Sequence, residues 1–168
     1  MILYHGTTLE IVTPQIIKSE LGRDFGFAFY TTNIKEQAER WAIRKAKILS
    51  KKKEGILVPA IVNIYEWTPS EKTLKKEFSG ASLEWLELVV NCRGNIDFKH
   101  GYDIVSGKIA NDNVGETVSY VMQGIMRKED AVERLKFEKI NKQIAFCSEK
   151  SLNELKFIKI YIVEMNVY

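Results

Sequence analysis

Apolar residues recur with the period of a helix in several segments of the chain. Between Asn33 and Ser50 they occur at spacings of three and four, and most positions between them are Lys, Arg, Glu or Gln. This pattern predicts an amphipathic helix over 33–50, with Thr32 or Asn33 as N-cap and the polar positions facing solvent. The same criterion predicts helices at 82–91, 118–126 and 129–140, and single helical turns at 8–12 and 151–155.

Other segments are short runs of β-branched and aromatic residues, a composition typical of strands. The predicted strands are 3–7, 24–32, 56–65, 102–109, 143–147 and 157–167. Pro59 places the beginning of the third strand at a sheet edge or a bulge, because proline cannot donate to a ladder. Short strands mixed with irregularly spaced helices predict an α+β fold, with mixed sheets and flanking helices rather than regular βαβ winding.

Length and composition indicate one globular domain over residues 1–168, because 45% of the residues are hydrophobic and no linker separates the segments. The net charge of +3 is too small to imply nucleic-acid binding through the bulk field.

Cys92 and Cys147 match no metal-ligand spacing, so we expect reduced thiols and no metal. A signal-peptide pattern and an apolar run of ~18–20 residues are both missing, so we expect a cytoplasmic protein without membrane contact.

The candidate chemistry lies at the ends of the first two predicted strands. His5-Gly6-Thr7 ends the first strand, and Tyr30-Thr31-Thr32 ends the second. Strand ends of this kind hold ligand-binding groups in many proteins, because the strand is rigid and the turn exposes backbone N–H groups. Each residue taken alone has an ordinary structural alternative, since most single histidines are structural and most strand tyrosines belong to a core.

Taken together, these residues resemble the ADP-ribosyltransferase superfamily, in the branch of diphtheria toxin and the poly(ADP-ribose) polymerases. That branch carries a His, a Tyr and a Glu on three separate strands. Two further stretches, Tyr102 to Asp112 and Gln143-Ile144-Ala145-Phe146, resemble the later motifs of an uncharacterised bacterial family of this type. The resemblance implies an ADP-ribosyltransferase-like fold and a mono-ADP-ribosyltransferase, which cleaves NAD as substrate and transfers ADP-ribose to an unidentified acceptor.

The resemblance also implies roles for individual residues. His5 would hydrogen-bond the ribose hydroxyls, Gly6 would offer backbone groups to the nicotinamide carboxamide, and Thr7 would lie near the adenosine ribose. Tyr30 would stack on the nicotinamide ring, a flat contact that an aromatic side chain supplies well. Further NAD-binding candidates are Asp24, Gly26 and Thr31, with a turn or cap role as the alternative for Asp24.

The third catalytic position falls on Gln143, where many relatives carry Glu. An amide can hydrogen-bond the ribose 2′-hydroxyl, but it cannot act as a base or place negative charge near the developing cation. The change argues against chain elongation and favours single transfer, or a weak or inactive enzyme. Glu149 is a second carboxylate candidate for this position, with a helix start as its structural alternative.

Two other functions stay open on the sequence. The first is an NAD- or ADP-ribose-binding module without turnover, which Gln143 permits. The second is a transferase directed at nucleic acid through the basic loop Lys51–Lys53, for which a solvated turn is the structural alternative. The resemblance further implies a bacterial toxin with a small neutralising protein as partner.

Several remaining polar residues have structural alternatives that we favour. Asp103, Asn111 and Asp112 are expected to be turn or cap residues, although Asp103 must find a partner if it is buried. Arg93 is expected to be solvated and His100 to lie in a loop.

Overall fold

The structure, a computed structural model, describes residues 1–18, 23–109, 112–136 and 141–165. Within these ranges the helices are α1 Lys35–Lys52, α2 Leu83–Gly94, α3 Asp112–Met122, α4 Lys128–Leu135 and the short α5 Glu149–Leu152. The strands are β1 Ile2–Thr7, β2 Phe29–Thr31, β3 Ala60–Trp67, β4 Lys75–Glu77, β5 Ile104–Ile109, β6 Asn141–Phe146 and β7 Leu155–Val163. The protein is therefore a mixed α+β structure, as the pattern predicts.

The strands form two sheets that meet where β1 and β2 lie side by side. The first sheet has the order β1-β3-β7 and is antiparallel, and the second has the order β2-β6-β5-β4. In the second sheet β4 runs parallel to β5, while the other neighbours are antiparallel. Two backbone hydrogen bonds between Tyr4 and Thr32, of 2.8 and 3.0 Å, join β1 to the end of β2. This junction brings His5 next to Tyr30.

The core is divided by the sheets into three parts. Ala38, Ala42 and Ala46 of α1 pack on the outer face of the first sheet. Large side chains from both sheets, among them Phe29 and Phe146, fill the space between them. The helices α2, α3 and α4 cover the other face of the second sheet. The resulting order is helix, sheet, sheet, helices, and the β1–β2 junction lies inside it.

Most predicted elements are confirmed, with shifted ends. The helix expected over 33–50 is α1, although its N-cap is Ile34 rather than Thr32 or Asn33, and Thr32 Oγ1 instead accepts the Ile34 N–H at 3.1 Å. The helix expected over 82–91 is α2, where Ser82 accepts from the Trp85 N–H as an N-cap does. The strands expected near 3–7, 102–109 and 143–147 are β1, β5 and β6.

Several predicted bounds are wrong. The strand expected over 24–32 is reduced to β2, because residues 23–26 form a turn closed by the Gly26 N–H on the Arg23 carbonyl. The helical turn expected at 8–12 is irregular, and the strand expected over 56–65 starts only after Pro59. The helix expected over 118–126 already begins at Asp112, and the strand β4 was not predicted. Parts of the segments expected at 129–140 and 157–167, and Asn111, lie outside the described residues.

Candidate functional site

His5 lies on β1 with its imidazole turned toward β2. Nδ1 is 2.6 Å from the Tyr30 carbonyl oxygen, so the Nδ1–H donates this hydrogen bond and Nε2 carries the lone pair. The ring stacks on Phe29 with 4.4 Å between centroids. Nε2 has no protein partner in the described part of the chain, so it is an acceptor available to a hydroxyl donor.

Burial keeps the His5 imidazole neutral. Only 4% of the residue is exposed, and burial lowers its pKa to about 3, with the nearby Lys45 cation contributing. The hydrogen bond to Tyr30 opposes this shift but does not offset it. At neutral pH the residue therefore offers one fixed donor and one acceptor rather than a charge.

Tyr30 follows Phe29 on β2 and points to the opposite face of the sheet, into the core beneath the helices. Its hydroxyl donates to the Gly26 carbonyl oxygen at 2.6 Å and accepts the Phe25 N–H at 3.1 Å. These two hydrogen bonds hold the turn before β2. The Arg23 guanidinium lies over the ring, 5.7 Å from its centroid. A planar cation is thus already accommodated against this aromatic face.

Gly6 allows α1 to pack closely against β1. A Cβ atom on Gly6 would lie 2.0 Å from the Ala38 carbonyl oxygen and 2.9 Å from the Ala42 nitrogen. The absence of a side chain at this position is therefore required by helix packing, which is a structural reason independent of any ligand. The Gly6 carbonyl oxygen accepts a hydrogen bond from Lys45 Nζ at 2.9 Å.

Two polar residues of α1 face inward, contrary to the prediction of a solvated polar face. Gln37 is 1% exposed and its Nε2 donates to the Lys142 carbonyl oxygen at 3.2 Å, while its Oε1 is buried without a partner among the described residues. Lys45 is half-buried against β1. Helical periodicity did not single out either residue, because both are polar and the pattern assigns polar residues to the solvent face. The sequence did contain a signal that α1 lies close to a strand, namely a glycine in β1 and alanines at every fourth position of the helix.

Gln143 lies on β6, the strand that pairs with β2. Tyr30 is opposite Ala145 in the antiparallel register, and Gln143 is two residues from Ala145 on the same strand, so Tyr30 and Gln143 are on the same face of the sheet, two register positions apart. Gln143 is 4% exposed and pairs with Gly107 on its other side. No hydrogen bond joins its amide to His5 or to the Tyr30 hydroxyl in the described part of the chain. The three candidates are thus on adjacent strands, with the imidazole and the phenol on different faces of β2.

The other expected NAD-binding residues have structural partners. Asp24 forms a partly buried ion pair with Arg93, in which Nε and Nη2 of Arg93 lie 2.6 and 2.5 Å from Asp24 Oδ1. Thr31 donates its hydroxyl to the Ile144 carbonyl oxygen at 2.8 Å. Gly26 has a φ of +79°, which favours glycine, and its carbonyl holds Tyr30. Thr7 is partly exposed at the end of β1.

Arg93, which we expected to be solvated, is therefore paired with Asp24. Asp103 is partly buried and also has hydrogen-bonding partners. Asp103 Oδ2 accepts the Leu74 N–H at 2.7 Å and lies 3.1 Å from Lys150 Nζ. Burial raises the pKa of Asp103, but hydrogen bonds from Ser148, Leu74 and Lys150 outweigh it and lower the pKa overall. Glu149 begins α5, the position expected of a structural acidic residue at a helix start.

A cleft of about 520 Å³ opens beside the turn that Tyr30 holds. Phe25 and Gly26 line it together with the loop 96–103 and Cys147. Burial raises the pKa of the Cys147 thiol to about 12, so this thiol is protonated and unreactive at neutral pH. His100 lies in this loop, as expected, and its Nε2 is 3.0 Å from the Phe25 carbonyl oxygen.

Among the described residues, no three His, Cys, Asp or Glu side chains are grouped so that they could hold a metal ion. Within those residues, no helix has the length and apolar composition needed to cross a bilayer.

Comparison with known proteins relates the chain to one family. No curated protein and no solved structure matches it. A family model described as "Protein of unknown function (DUF3990)" matches residues 1–157, which is nearly the whole chain. The chain belongs to this family of proteins of unknown function, DUF3990.

Proposed function

We propose that the protein is a mono-ADP-ribosyltransferase that uses NAD as substrate. The observation that carries this proposal is the 2.6 Å hydrogen bond from His5 on β1 to the Tyr30 backbone on β2, beside the strand that carries Gln143. It brings two distant parts of the sequence, which resemble the His and Tyr motifs of ADP-ribosyltransferases, to one junction. The third position lies on the neighbouring strand.

The chemistry requires little acid–base assistance from the protein. The bond between ribose C1′ and the nicotinamide nitrogen breaks, the pyridinium leaves as neutral nicotinamide, and positive charge develops on the ribose. The acceptor then attacks C1′ and releases its own proton. An enzyme must therefore position the ribose and stabilise the developing charge. Neutral His5 suits the positioning role, because its free Nε2 can accept a hydrogen bond from a ribose hydroxyl.

The residue at position 143 bears on whether the site would turn NAD over or only bind it. Its amide can accept a hydrogen bond from the ribose 2′-hydroxyl but supplies no negative charge. The second candidate is therefore an NAD-binding module without turnover, favoured by the burial of a neutral amide at this position. A Gln143→Glu variant separates the two candidates, because a carboxylate would stabilise an oxocarbenium-like ribose where the amide does not.

The test is nicotinamide release from NAD, together with transfer of labelled ADP-ribose to bacterial lysate. We expect turnover by the native chain and a loss of about 100-fold or more in His5→Asn, the scale seen for removing one positioned hydrogen-bonding group. His100→Asn is the matched control, because this histidine lies in a loop outside the junction, and it should keep native activity. NAD binding without turnover in both the native chain and Gln143→Glu would support the binding module, and no NAD binding at all would refute both candidates.

A further inference from the structure

Lys45 places a cation at the β1–β2 junction without a negative partner. Its Nζ donates to the Gly6 carbonyl oxygen at 2.9 Å, directly after His5 in the sequence. No carboxylate lies within salt-bridge distance of this amine in the described part of the chain. Lys76 and Lys142, by contrast, pair with surface glutamates. A half-buried amine that is satisfied only by a carbonyl keeps two of its three donors for another ligand.

Arg23 adds a second positive charge to the same region. Its guanidinium lies over Tyr30, 5.7 Å from the ring centroid, and it is close enough to Lys45 to affect its ionisation. Burial and then the Arg23 charge lower the pKa of Lys45 to about 8, so the amine is still mainly protonated at neutral pH. Two cations and a neutral imidazole thus share one region without a counter-ion among the described residues. The two positive charges repel each other, and a bound anion would offset this repulsion.

The position of these cations indicates which anion they would meet. Lys45 lies beside His5, where the proposed function places the ribose, and Arg23 lies over Tyr30, on which the sequence resemblance places the nicotinamide ring. In NAD the group attached to the nicotinamide ribose is a diphosphate, which carries two negative charges. We propose that Lys45 and Arg23 form the diphosphate subsite of the NAD site, an inference that rests on the proposed function.

The two side chains divide this role by their chemistry. Lys45 is fixed by α1 and acts as a point charge with two free donors. Arg23 is the first residue of the turn held by Tyr30 and can offer its planar fork to phosphate oxygens. Movement of Arg23 toward the diphosphate would uncover the face of Tyr30 on which the guanidinium lies, and the nicotinamide ring of NAD, a planar cation while it is bonded to the ribose, could take its place. Diphosphate binding and nicotinamide stacking are therefore expected to be coupled.

The experiment measures binding of ADP-ribose, inorganic pyrophosphate and nicotinamide by calorimetry to the native chain and to Lys45→Met. We expect the variant to bind ADP-ribose about 10-fold or more weakly, the effect of losing a hydrogen bond to a charged group. Nicotinamide, which has no phosphate, should bind the variant as it binds the native chain. Lys47→Met is the matched control, because Lys47 is an exposed lysine on the same helix, and it should bind all three ligands normally.

The outcomes separate this inference from the proposed function. Equal ADP-ribose affinities in Lys45→Met and Lys47→Met, with NAD turnover intact, would overturn the subsite and leave the function standing. Lys45-dependent pyrophosphate binding without binding of NAD or ADP-ribose would refute the function and support the anion site. If Lys45→Met does not fold, Arg23→Gln is the second variant, because Arg23 is exposed and its removal leaves the core unchanged. Unchanged ADP-ribose affinity in that variant would overturn the role of Arg23.

Discussion

At the scale of single residues, the junction depends on groups whose ionisation or size is set by their surroundings. His5 is neutral because it is buried next to Lys45, and Gly6 lacks a side chain because α1 occupies its space. The residue types alone do not show that His5 is neutral or that position 6 requires glycine. The fold therefore already gives His5 and Gly6 structural roles at these positions, and a ligand-binding role would be an additional one.

The His5 imidazole should stay neutral far below its ordinary pKa. In the His100→Asn variant one imidazole remains, and its NMR signals should keep the neutral chemical shifts from pH 8 to about pH 5. The same pKa shift determines whether the free energy of unfolding rises or falls with pH. Between the unfolded pKa of 6.5 and the folded pKa of about 3 the unfolded chain binds more protons, so His5 lowers the free energy of unfolding as the pH falls through this range.

Urea unfolding measures this effect. The slope from His5 approaches about 1.4 kcal/mol per pH unit, and it should be reduced in His5→Asn relative to the native chain. A His5 signal that titrates near pH 6.5 would show that the ring is solvated and the described burial is wrong.

The Gly6→Ala substitution should disrupt the contact between β1 and α1. Because the atom that its Cβ would meet is a backbone oxygen at 2.0 Å, the helix itself must move. We expect a loss of about 3 kcal/mol or more in the free energy of unfolding, at the upper end of overpacking effects. Gly80→Ala is the control, because no heavy atom lies within 4 Å of its Cβ position and its φ is not positive. Equal melting temperatures for the two variants would contradict the close approach of α1.

At the scale of elements, the ion pair between Asp24 and Arg93 ties the turn before β2 to α2. Asp24 has 8% of its side chain exposed and Arg93 has 27%, and their oxygen and nitrogen atoms are within 2.6 Å. The same turn is held from the other side by the Tyr30 hydroxyl. The position of Tyr30 therefore depends on both β2 and α2, and the sequence separation of 69 residues between the paired charges conceals this dependence.

Removal of Arg93 alone should cost more than removal of both charges. Arg93→Met leaves the Asp24 carboxylate buried without its cation, and we expect about 3 kcal/mol of destabilisation. The double variant with Asp24→Asn should recover part of this loss, because it removes the buried negative charge that has lost its Arg93 partner. Urea unfolding of the two single variants and the double variant gives the coupling free energy. A coupling near zero would mean that the pair is solvated in solution.

At the scale of the whole molecule, the two sheets share one core. Phe146 of β6 contacts Trp67 of β3 with 5.6 Å between ring centroids, and Phe29 of β2 meets Tyr65 of β3 at the same distance. These aromatic contacts cross from one sheet to the other. The expectation of a single domain over 1–168 stays a prediction, and this shared core makes it testable.

Unfolding of the native chain should occur in one step. Far-UV circular dichroism and tryptophan fluorescence should give coincident transitions, because neither sheet can bury its inner face alone. Phe146→Ala should lower the free energy of unfolding by about 3–5 kcal/mol without separating the two transitions. Two resolved transitions in the native chain would show that the sheets fold independently.

Local pattern was sufficient for most elements. The spacing of apolar residues predicted α1 and α2, and short runs of apolar and aromatic residues predicted β1, β5 and β6, because periodicity and propensity act within a few residues. β4 escaped prediction because its sequence Lys-Lys-Glu becomes a strand only through pairing with β5. The resemblance to ADP-ribosyltransferase motifs, and not the local pattern, selected His5, Tyr30 and Gln143 as candidates.

Only the tertiary structure decided how those candidates are arranged. It placed the imidazole against the Tyr30 backbone, put Tyr30 and Gln143 on one face of the second sheet, and committed Asp24 and Thr31 to structural partners. It also turned Gln37 and Lys45 of α1 inward. The physical reason is that burial, pairing and charge state depend on residues distant in sequence, which the folded chain brings into contact and a local pattern does not contain.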